Sequence, residues 1–303
     1  MKCIPVKELN VSAADPQKFV LSAENAYADQ ISAAAERIYM ERKERPVVLI
    51  SGPSGSGKTT SAGRIAQLLE DNGCRAHTIS MDNYFLPLTE QDKRLAELGQ
   101  FDFESPKRLD TELFSRHLKM LSCCEAIDVP AFDFTAQERR PGMTLQCAPG
   151  DIVIMEGIHA LNPEVTGHSD EFTNRVYVSV RTRLESDGAL LHPSKIRLMR
   201  RLIRDKLYRG RSISETMDFF RSVERGEDLY IMPFKHRASF DIDTFIAYEP
   251  MVYRDILLGD LEQVSGTYGD YEHYADIEQF LRKLQPMDRE VVPENSLVRE
   301  FIG

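Results

Sequence analysis

Val47-Val48-Leu49-Ile50-Ser51-Gly52-Pro53-Ser54-Gly55-Ser56-Gly57-Lys58-Thr59-Thr60 is the stretch on which the reading of this chain turns. An apolar, β-forming run leads into a glycine-rich loop. The following run, Ser61 to Glu70, has apolar positions at Ala62, Ile65, Ala66, Leu68 and Leu69, the spacing of a helix. Gly52, Gly57, Lys58 and Thr59 satisfy the pattern G-x-x-x-x-G-K-[ST] of a P-loop. The chemistry explains the residue types. Glycines let backbone N–H groups approach phosphate oxygens with no Cβ in the way. The helix that follows adds the positive end of its dipole. Lys58 supplies a point charge to the outer phosphates, and the Thr59 hydroxyl is placed to ligate the accompanying magnesium. Gly52, Ser54, Gly55, Ser56, Gly57, Lys58, Thr59 and Thr60 are therefore the expected nucleotide-binding residues.

Composition narrows the alternatives. The chain has 303 residues, 42% hydrophobic and 28% charged, enough for one large α/β domain or two smaller ones. A net charge of −10 argues against a general nucleic-acid or membrane-surface binder. No apolar run approaches a membrane span, and Met1 to Asn10 lacks the shape of a signal peptide. Cys3, Cys74, Cys123, Cys124 and Cys147 suit neither a disulfide framework nor a zinc site, so reduced thiols in a cytoplasm are expected.

Along the chain, residues 1–15 carry no clear pattern. Val20, Tyr27, Ile31 and Ile38 predict an amphipathic helix from Pro16 to Lys43, packed on its own domain. Asp71-Asn72-Gly73 stops the P-loop helix, and Ala76 to Ser80 reads as a second strand. Asp82 falls just past that strand, where open parallel sheets line their ligand crevice. Asp110 is expected to cap a helix whose inner face is Leu113, His117, Leu118 and Leu121, with His117 partly buried. Ile127 to Pro130 and Phe132 to Phe134 look extended, and Glu138 to Gly150 reads as a turn-rich connection. Ile152 to Met155 has the continuous apolar character of a buried parallel strand, and Glu156 follows it as a second magnesium partner. Arg175 to Val180 and Ile242 to Ala247 predict two more strands.

From Lys195 to Arg211, Met199, Leu202, Ile203 and Leu207 form one helical face, and Arg197, Arg201 and Arg204 another. In an acidic chain this density of arginine calls for an anionic partner, since guanidinium groups pair bidentately with phosphate. Further helices are expected over Ser214–Glu224, around Tyr253–Leu257 and over Ile277–Leu284. The chain thus divides into a helical extension (1–44), a P-loop domain (45–260) with an arginine-rich lid around 195–226, and a C-terminal helix and tail (261–303). The expected architecture is α/β, a three-layer α/β/α P-loop NTPase with a mostly parallel sheet and a helical lid. No Asn-Lys-x-Asp guanine-reading motif occurs, and Asp82 offers a general base for a hydroxyl acceptor. Both favour a small-molecule kinase over a GTPase or a mechanical ATPase.

Several motifs then fall in register. Gly52 to Thr59, Ser80-Met81-Asp82-Asn83-Tyr84, Asp102-Phe103-Glu104-Ser105-Pro106, Pro130 to Phe134, Glu156-Gly157-Ile158, and Arg201-Leu202-Ile203-Arg204-Asp205 through Arg209-Gly210-Arg211 resemble the uridine kinase / phosphoribulokinase family in their order. The ending Asn295 to Gly303 looks like that of bacterial uridine-kinase-like proteins. The resemblance implies phosphoryl transfer from ATP, with GTP left open as donor, and Mg2+, to a hydroxyl of a nucleoside or related small molecule. It implies that Asp82 activates the acceptor and, with Thr59 and Glu156, holds magnesium. It implies that Lys58, Arg201, Arg209 and Arg211 act in transfer. It also implies that Tyr84, Glu104, Phe132, Gln137, Arg201, Arg204 and Arg211 bind the acceptor beside Asp82.

Two departures touch the base-reading half. Uridine kinases carry a histidine where this chain has Gln137 and a glutamine where it has Phe219. A kinase for phosphoribulose, glycerate or pantothenate therefore stays open, as does a regulatory nucleotide-binding protein. A nucleic-acid-linked NTPase is disfavoured by the total charge and by Asp82, Asp102 and Glu104. The expected partner is a small molecule, with no nucleic acid and no membrane, in a cytoplasmic protein whose oligomeric state is open.

Overall fold

Five strands, all parallel, carry the site, and the apolar run before the P-loop lies in their centre. In this computed structural model, which describes residues 2–303, the chain begins with β1 (Cys3–Pro5), α1 (Val6–Ser12) and α2 (Pro16–Glu41). It continues through β2 (Val47–Ser51), α3 (Lys58–Asp71), β3 (Ala76–Ser80), α4 (Glu90–Glu97), α5 (Thr111–Ser122), β4 (Ile127–Asp133), β5 (Glu138–Leu145) and β6 (Ile152–Glu156). The second half comprises α6 (Pro163–Thr166), β7 (Thr173–Ser179), β8 (Arg183–Ser186), β9 (Ala189–Leu191), α7 (Pro193–Arg209), α8 (Ile213–Tyr230), β10 (Phe240–Asp243), α9 (Glu249–Ser265), α10 (Ala275–Lys283) and α11 (Arg299–Ile302). The main sheet has the order β10-β7-β2-β6-β3.

Central β2 is buried at every residue because both faces are covered, which is why its sequence runs apolar without alternation. Side-chain alternation still sorts the core. Val48, Ile50, Ile154, Val176 and Val178 face one cluster with Tyr27 and Ile65; Val47, Leu49, Val153 and Met155 face another with Phe114 and Leu118. This is a three-layer α/β/α arrangement. Register puts Ile50 and Ser80 on either side of Glu156, so the ends of β2, β3 and β6 come level.

Local signals account for the helix ends. Asp15 accepts from the Lys18 N–H at 3.2 Å with Pro16 in the first turn of α2, and Asp110 accepts from the Leu113 N–H at 3.0 Å to cap α5. On α2, Val20, Tyr27, Ile31 and Ile38 are buried against the domain, as their spacing predicts.

The structure departs from the sequence reading in four places. Residues 3–12 form β1 and α1, because β1 pairs with β8 across 180 residues of chain. Glu138–Leu145 is a strand, paired antiparallel with β4 around an irregularity between Val129 and Ala131; Pro141, Gly142 and the exposed edge hide its pattern. The last strand stops at Asp243, because Thr244 turns away to donate to the Ser56 carbonyl at 2.7 Å. The helix around Tyr253 is long, Glu249–Ser265. All five cysteines are free. No helix among the described residues is long and apolar enough to cross a membrane.

One fully buried ion pair ties the layers to the loop. Arg200 and Glu249 are each 0% exposed. Arg200 donates to both Glu249 oxygens, at 2.7 and 2.9 Å, to the Gly55 carbonyl at 3.0 Å and to the Thr244 carbonyl at 2.6 Å. Glu249 also accepts from the Tyr253 hydroxyl at 3.0 Å and the Ile246 N–H at 3.1 Å. Removing one partner strands a charge in a dry interior. Arg200→Ala is expected to lower stability by about 3–5 kcal/mol in urea denaturation, with Arg200→Met/Glu249→Met losing less than the single variant.

Candidate active site

The P-loop emerges from β2 and ends at Gly57, which caps α3 in the left-handed conformation at φ 79°. A Cβ there would also sit 2.6 Å from Leu297 Cδ1 and push that side chain aside, but it is the left-handed backbone that calls for glycine. Lys58 donates to the Pro53 carbonyl at 3.2 Å. Burial lowers its pKa, while Glu156, Asp82 and Glu300 hold it up. Behind the loop, Arg201 donates to the Ser54 hydroxyl at 2.7 Å, and Ser61 links the Gly57 carbonyl to the Tyr27 hydroxyl of α2, at 2.8 Å each.

Lys58, Thr59, Asp82, Glu104 and Glu156 line one cavity of about 290 Å3 with Arg204, Arg209 and Glu300. Asp82 enters on the turn after β3, where the Ser80 hydroxyl accepts its N–H at 3.3 Å. Its pKa is pushed up to about 6 by burial and by Glu156, against Lys58 and Arg209. Thr59 Oγ1 donates to Glu156 Oε1 at 3.3 Å. Two carboxylates crowded together beside a hydroxyl favour a cation between them. Among the described residues no group of three or more His, Cys, Asp or Glu gathers as a metal cage. Magnesium needs none, because it keeps waters and takes one or two carboxylates plus phosphate oxygens. The donor set therefore fits it.

Elsewhere on the cavity wall, burial raises the Glu104 pKa to about 7, opposed by Arg201 and Lys58. Gly226 of α8 makes this packing possible, since a Cβ there would fall 2.3 Å from Glu104 Cβ. Phe85 and Phe103 complete the wall. Phe103 lies 6.2 Å from the Phe219 ring, and the Arg201 and Arg211 guanidiniums each lie 4.9 Å over Phe219.

Some expected residues stand elsewhere. Tyr84 is fully buried, with its hydroxyl 3.0 Å from His117 Nδ1, so it belongs to the core rather than the cavity. Gln137 sits half-buried at the β4–β5 turn with φ 55° and donates to the Phe134 carbonyl at 2.7 Å. Phe132 packs on Phe85 at 5.7 Å and reaches the cavity only through that ring. The arginines are corrected in part as well. Asp205, 0% exposed, faces Arg201, Arg204, Arg209 and Arg211 at 3.1–3.5 Å, and Arg197 pairs with Glu227 at 2.5 Å. An internal carboxylate thus takes up charge that the sequence reading assigned to an outside anion. Four guanidiniums still face one aspartate, so positive charge remains in excess, and Arg204 and Arg209 reach the cavity.

Sequence reasoning missed Arg200, Glu249, His159 and Glu300. A charge at Arg200 on the Ile196–Ile203 face was the available signal for a buried pair. Glu300 had none. It comes from α11 and accepts a short hydrogen bond from the Thr60 hydroxyl, so the C-terminal tail lies against the first turn of α3. Burial lowers the His159 pKa to about 4.

A strand edge that gathers a P-loop lysine, an alcohol and acidic side chains is suited to a phosphate chain and its cation, which places the chain among the P-loop kinases. The particular family follows from its sequence. A family model described as "Phosphoribulokinase / Uridine kinase family" matches residues 47–247, and the chain belongs to that family. It is 32% identical over 203 residues to the uridine kinase of Staphylococcus aureus, covering 66% of this chain and 88% of that one. Among solved structures it is similar to a possible uridine kinase from Bacillus stearothermophilus (TM-score 0.49, 18% identity, 71% of this chain and 98% of that one). It is also similar to a putative fructose transport system kinase from Silicibacter (TM-score 0.46, 20% identity, 70% and 98%). Its family and its uridine kinase relatives make the chain a P-loop small-molecule kinase.

Two outcomes follow from the charges around the cavity. Glu300→Gln removes a carboxylate from a cavity shaped for phosphates, and nucleotide affinity by calorimetry is expected to rise several-fold, about 1 kcal/mol. His159 takes up its proton near pH 6.5 when unfolded and near 4 when folded, so stability falls as pH drops between those values. The loss reaches at most about 3 kcal/mol, and His159→Asn is expected to show a smaller drop over that window in denaturant titrations.

Proposed function

We propose that this kinase moves the γ-phosphate of ATP to a hydroxyl of a nucleoside-like small molecule, with magnesium. The observation that carries this is the meeting of Lys58, Asp82 and Glu156 around one cavity that also holds Glu104. Backbone amides from Gly55 to Thr60 cradle the phosphates, and Lys58 neutralises the outer oxygens. Thr59, Glu156 and Asp82 would hold magnesium, which when bound would offset the charge of the phosphates. Asp82 is ionised above about pH 6 and accepts the proton of the attacking hydroxyl. Arg204 and Arg209 stabilise charge that develops on the transferred group, while Arg201 and Arg211 hold the lid through Asp205 and Phe219.

Glu104 supports a polyol such as a ribose. With a pKa of about 7 it is present in both forms at neutrality, and either form pairs with a hydroxyl. Phe85 and Phe103 offer flat apolar faces for a ring. Phe219, at the position where uridine kinases carry a glutamine, offers no hydrogen bond to a base edge. That favours a ring held by stacking, and a non-nucleoside acceptor of the phosphoribulose, glycerate or pantothenate type is the second reading.

A panel of nucleosides, sugars and hydroxy acids, with ATP or GTP as donor and product mass as readout, tests both. Phosphorylation of a nucleoside is expected; phosphorylation of hydroxy acids alone would support the second reading. Asp82→Asn is expected to lower turnover about 10²–10⁴-fold. In the native chain kcat/KM should fall below about pH 6, where Asp82 takes up its proton, and that limb should vanish in Asp82→Asn.

A further inference from the structure

A second cavity, of about 250 Å3, lies between the carboxyl end of β7, the start of α7 and the end of α8. No residue lines both it and the P-loop cavity. Its wall carries Arg181, Arg183, Arg197 and Lys235, with Glu227 as the single carboxylate. In a chain of net charge −10 such a gathering needs a reason.

The cations are not all answered from within. Arg181 pairs with Asp241, and Arg197 with Glu227 at 2.5 Å. Arg183 and Lys235 have no carboxylate within ion-pair distance among the described residues; Lys235 instead lies 4.9 Å over the Tyr177 ring. Arg197 is only 2% exposed, and its Nε atom is buried with no hydrogen-bond partner, as is that of Arg183. Arg183 and Lys235 thus bring charge that no internal carboxylate answers, and such groups pair readily with an anion. Surroundings of the same sign act on His192, another wall residue. Its pKa is lowered by burial and by Arg183 and Arg197, and its Nδ1 already accepts the Ser194 N–H at 3.2 Å, which leaves Nε2 for a ligand.

We propose that this cavity is a binding site for a small dianion, a phosphate monoester or a dicarboxylate, held by Arg183, Lys235 and Arg197. Glu227 competes with the ligand for Arg197. The site is separate from phosphoryl transfer. Yet Arg197 also donates to the Ser54 carbonyl at 3.3 Å, so an anion that draws Arg197 from Glu227 acts directly on the back of the P-loop.

The test is a lysine-acylation footprint of the full chain, read peptide by peptide, with inorganic phosphate or malonate as probe. Lys235 is expected to be protected by at least one of them, and the effective anion identifies phosphate or dicarboxylate chemistry. Arg183→Gln should raise the anion concentration needed to protect Lys235 by about tenfold, while any protection of Lys58 in the P-loop stays unchanged. Glu227→Gln should lower that concentration, because it frees Arg197. The opposite sign of the two variants keeps the test decisive even if one of them folds poorly. Equal labelling of Lys235 with and without both anions, or the same response in all three proteins, overturns the proposal.

Discussion

The buried pair of Arg200 and Glu249 is the constraint on which the rest depends. A guanidinium with no exposure is tolerable only when its donors are met, and here they are met by a carboxylate, a threonine and the Gly55 carbonyl. Burial alone disfavours the charge; Glu249 more than offsets that. The pair joins α7, the start of α9 and the P-loop at one point. A phosphate cradle works by presenting amides in a fixed geometry, and a glycine-rich loop does not hold such a geometry unaided. Arg200 supplies the rigidity from behind, and Thr244, bonded to the Ser56 carbonyl, supplies it from the side.

Around this point the two chain ends converge. Tyr27 of α2 reaches Ser61, Leu297 presses on Gly57, and Glu300 meets Thr60. Glu24 of α2, Tyr248 and Ser296 form a hydrogen-bonded knot, with Glu24 2.5 Å from each of the other two oxygens. The first turn of helix α3 is therefore clasped by segments from opposite ends of the sequence. The tail also brings Glu300 to a cavity that Asp82, Glu104 and Glu156 already line, and its charge opposes any anion that Lys58 and the helix dipole attract.

The arginines show how misleading local charge density can be. Read in line, Lys195 to Arg211 looks like a free basic surface. Folded, Arg200 serves Glu249, Arg197 serves Glu227 and Asp205 gathers four more. Burial makes these pairings necessary, since each charge taken from water must find a partner. What reaches the cavity is the remainder after that internal pairing.

The sequence alone determined the sheet, the P-loop and the helix after it. Those signals are local: β2 and β6 are continuous apolar runs, and Gly57-Lys58-Thr59 needs no distant context to be recognised. Asp82 and Glu156 were legible for the same reason, each lying at or just past the end of a readable strand. Tertiary structure decided what depends on partners far along the chain. Residues 3–12 became β1 and α1 through β8, Glu138–Leu145 became a strand through β4, and Tyr84 turned into the core on finding His117. Glu300 entered the site from the far end of the chain. No periodicity or motif encodes such pairings, because they are set by which surfaces close on one another once the sheet has formed.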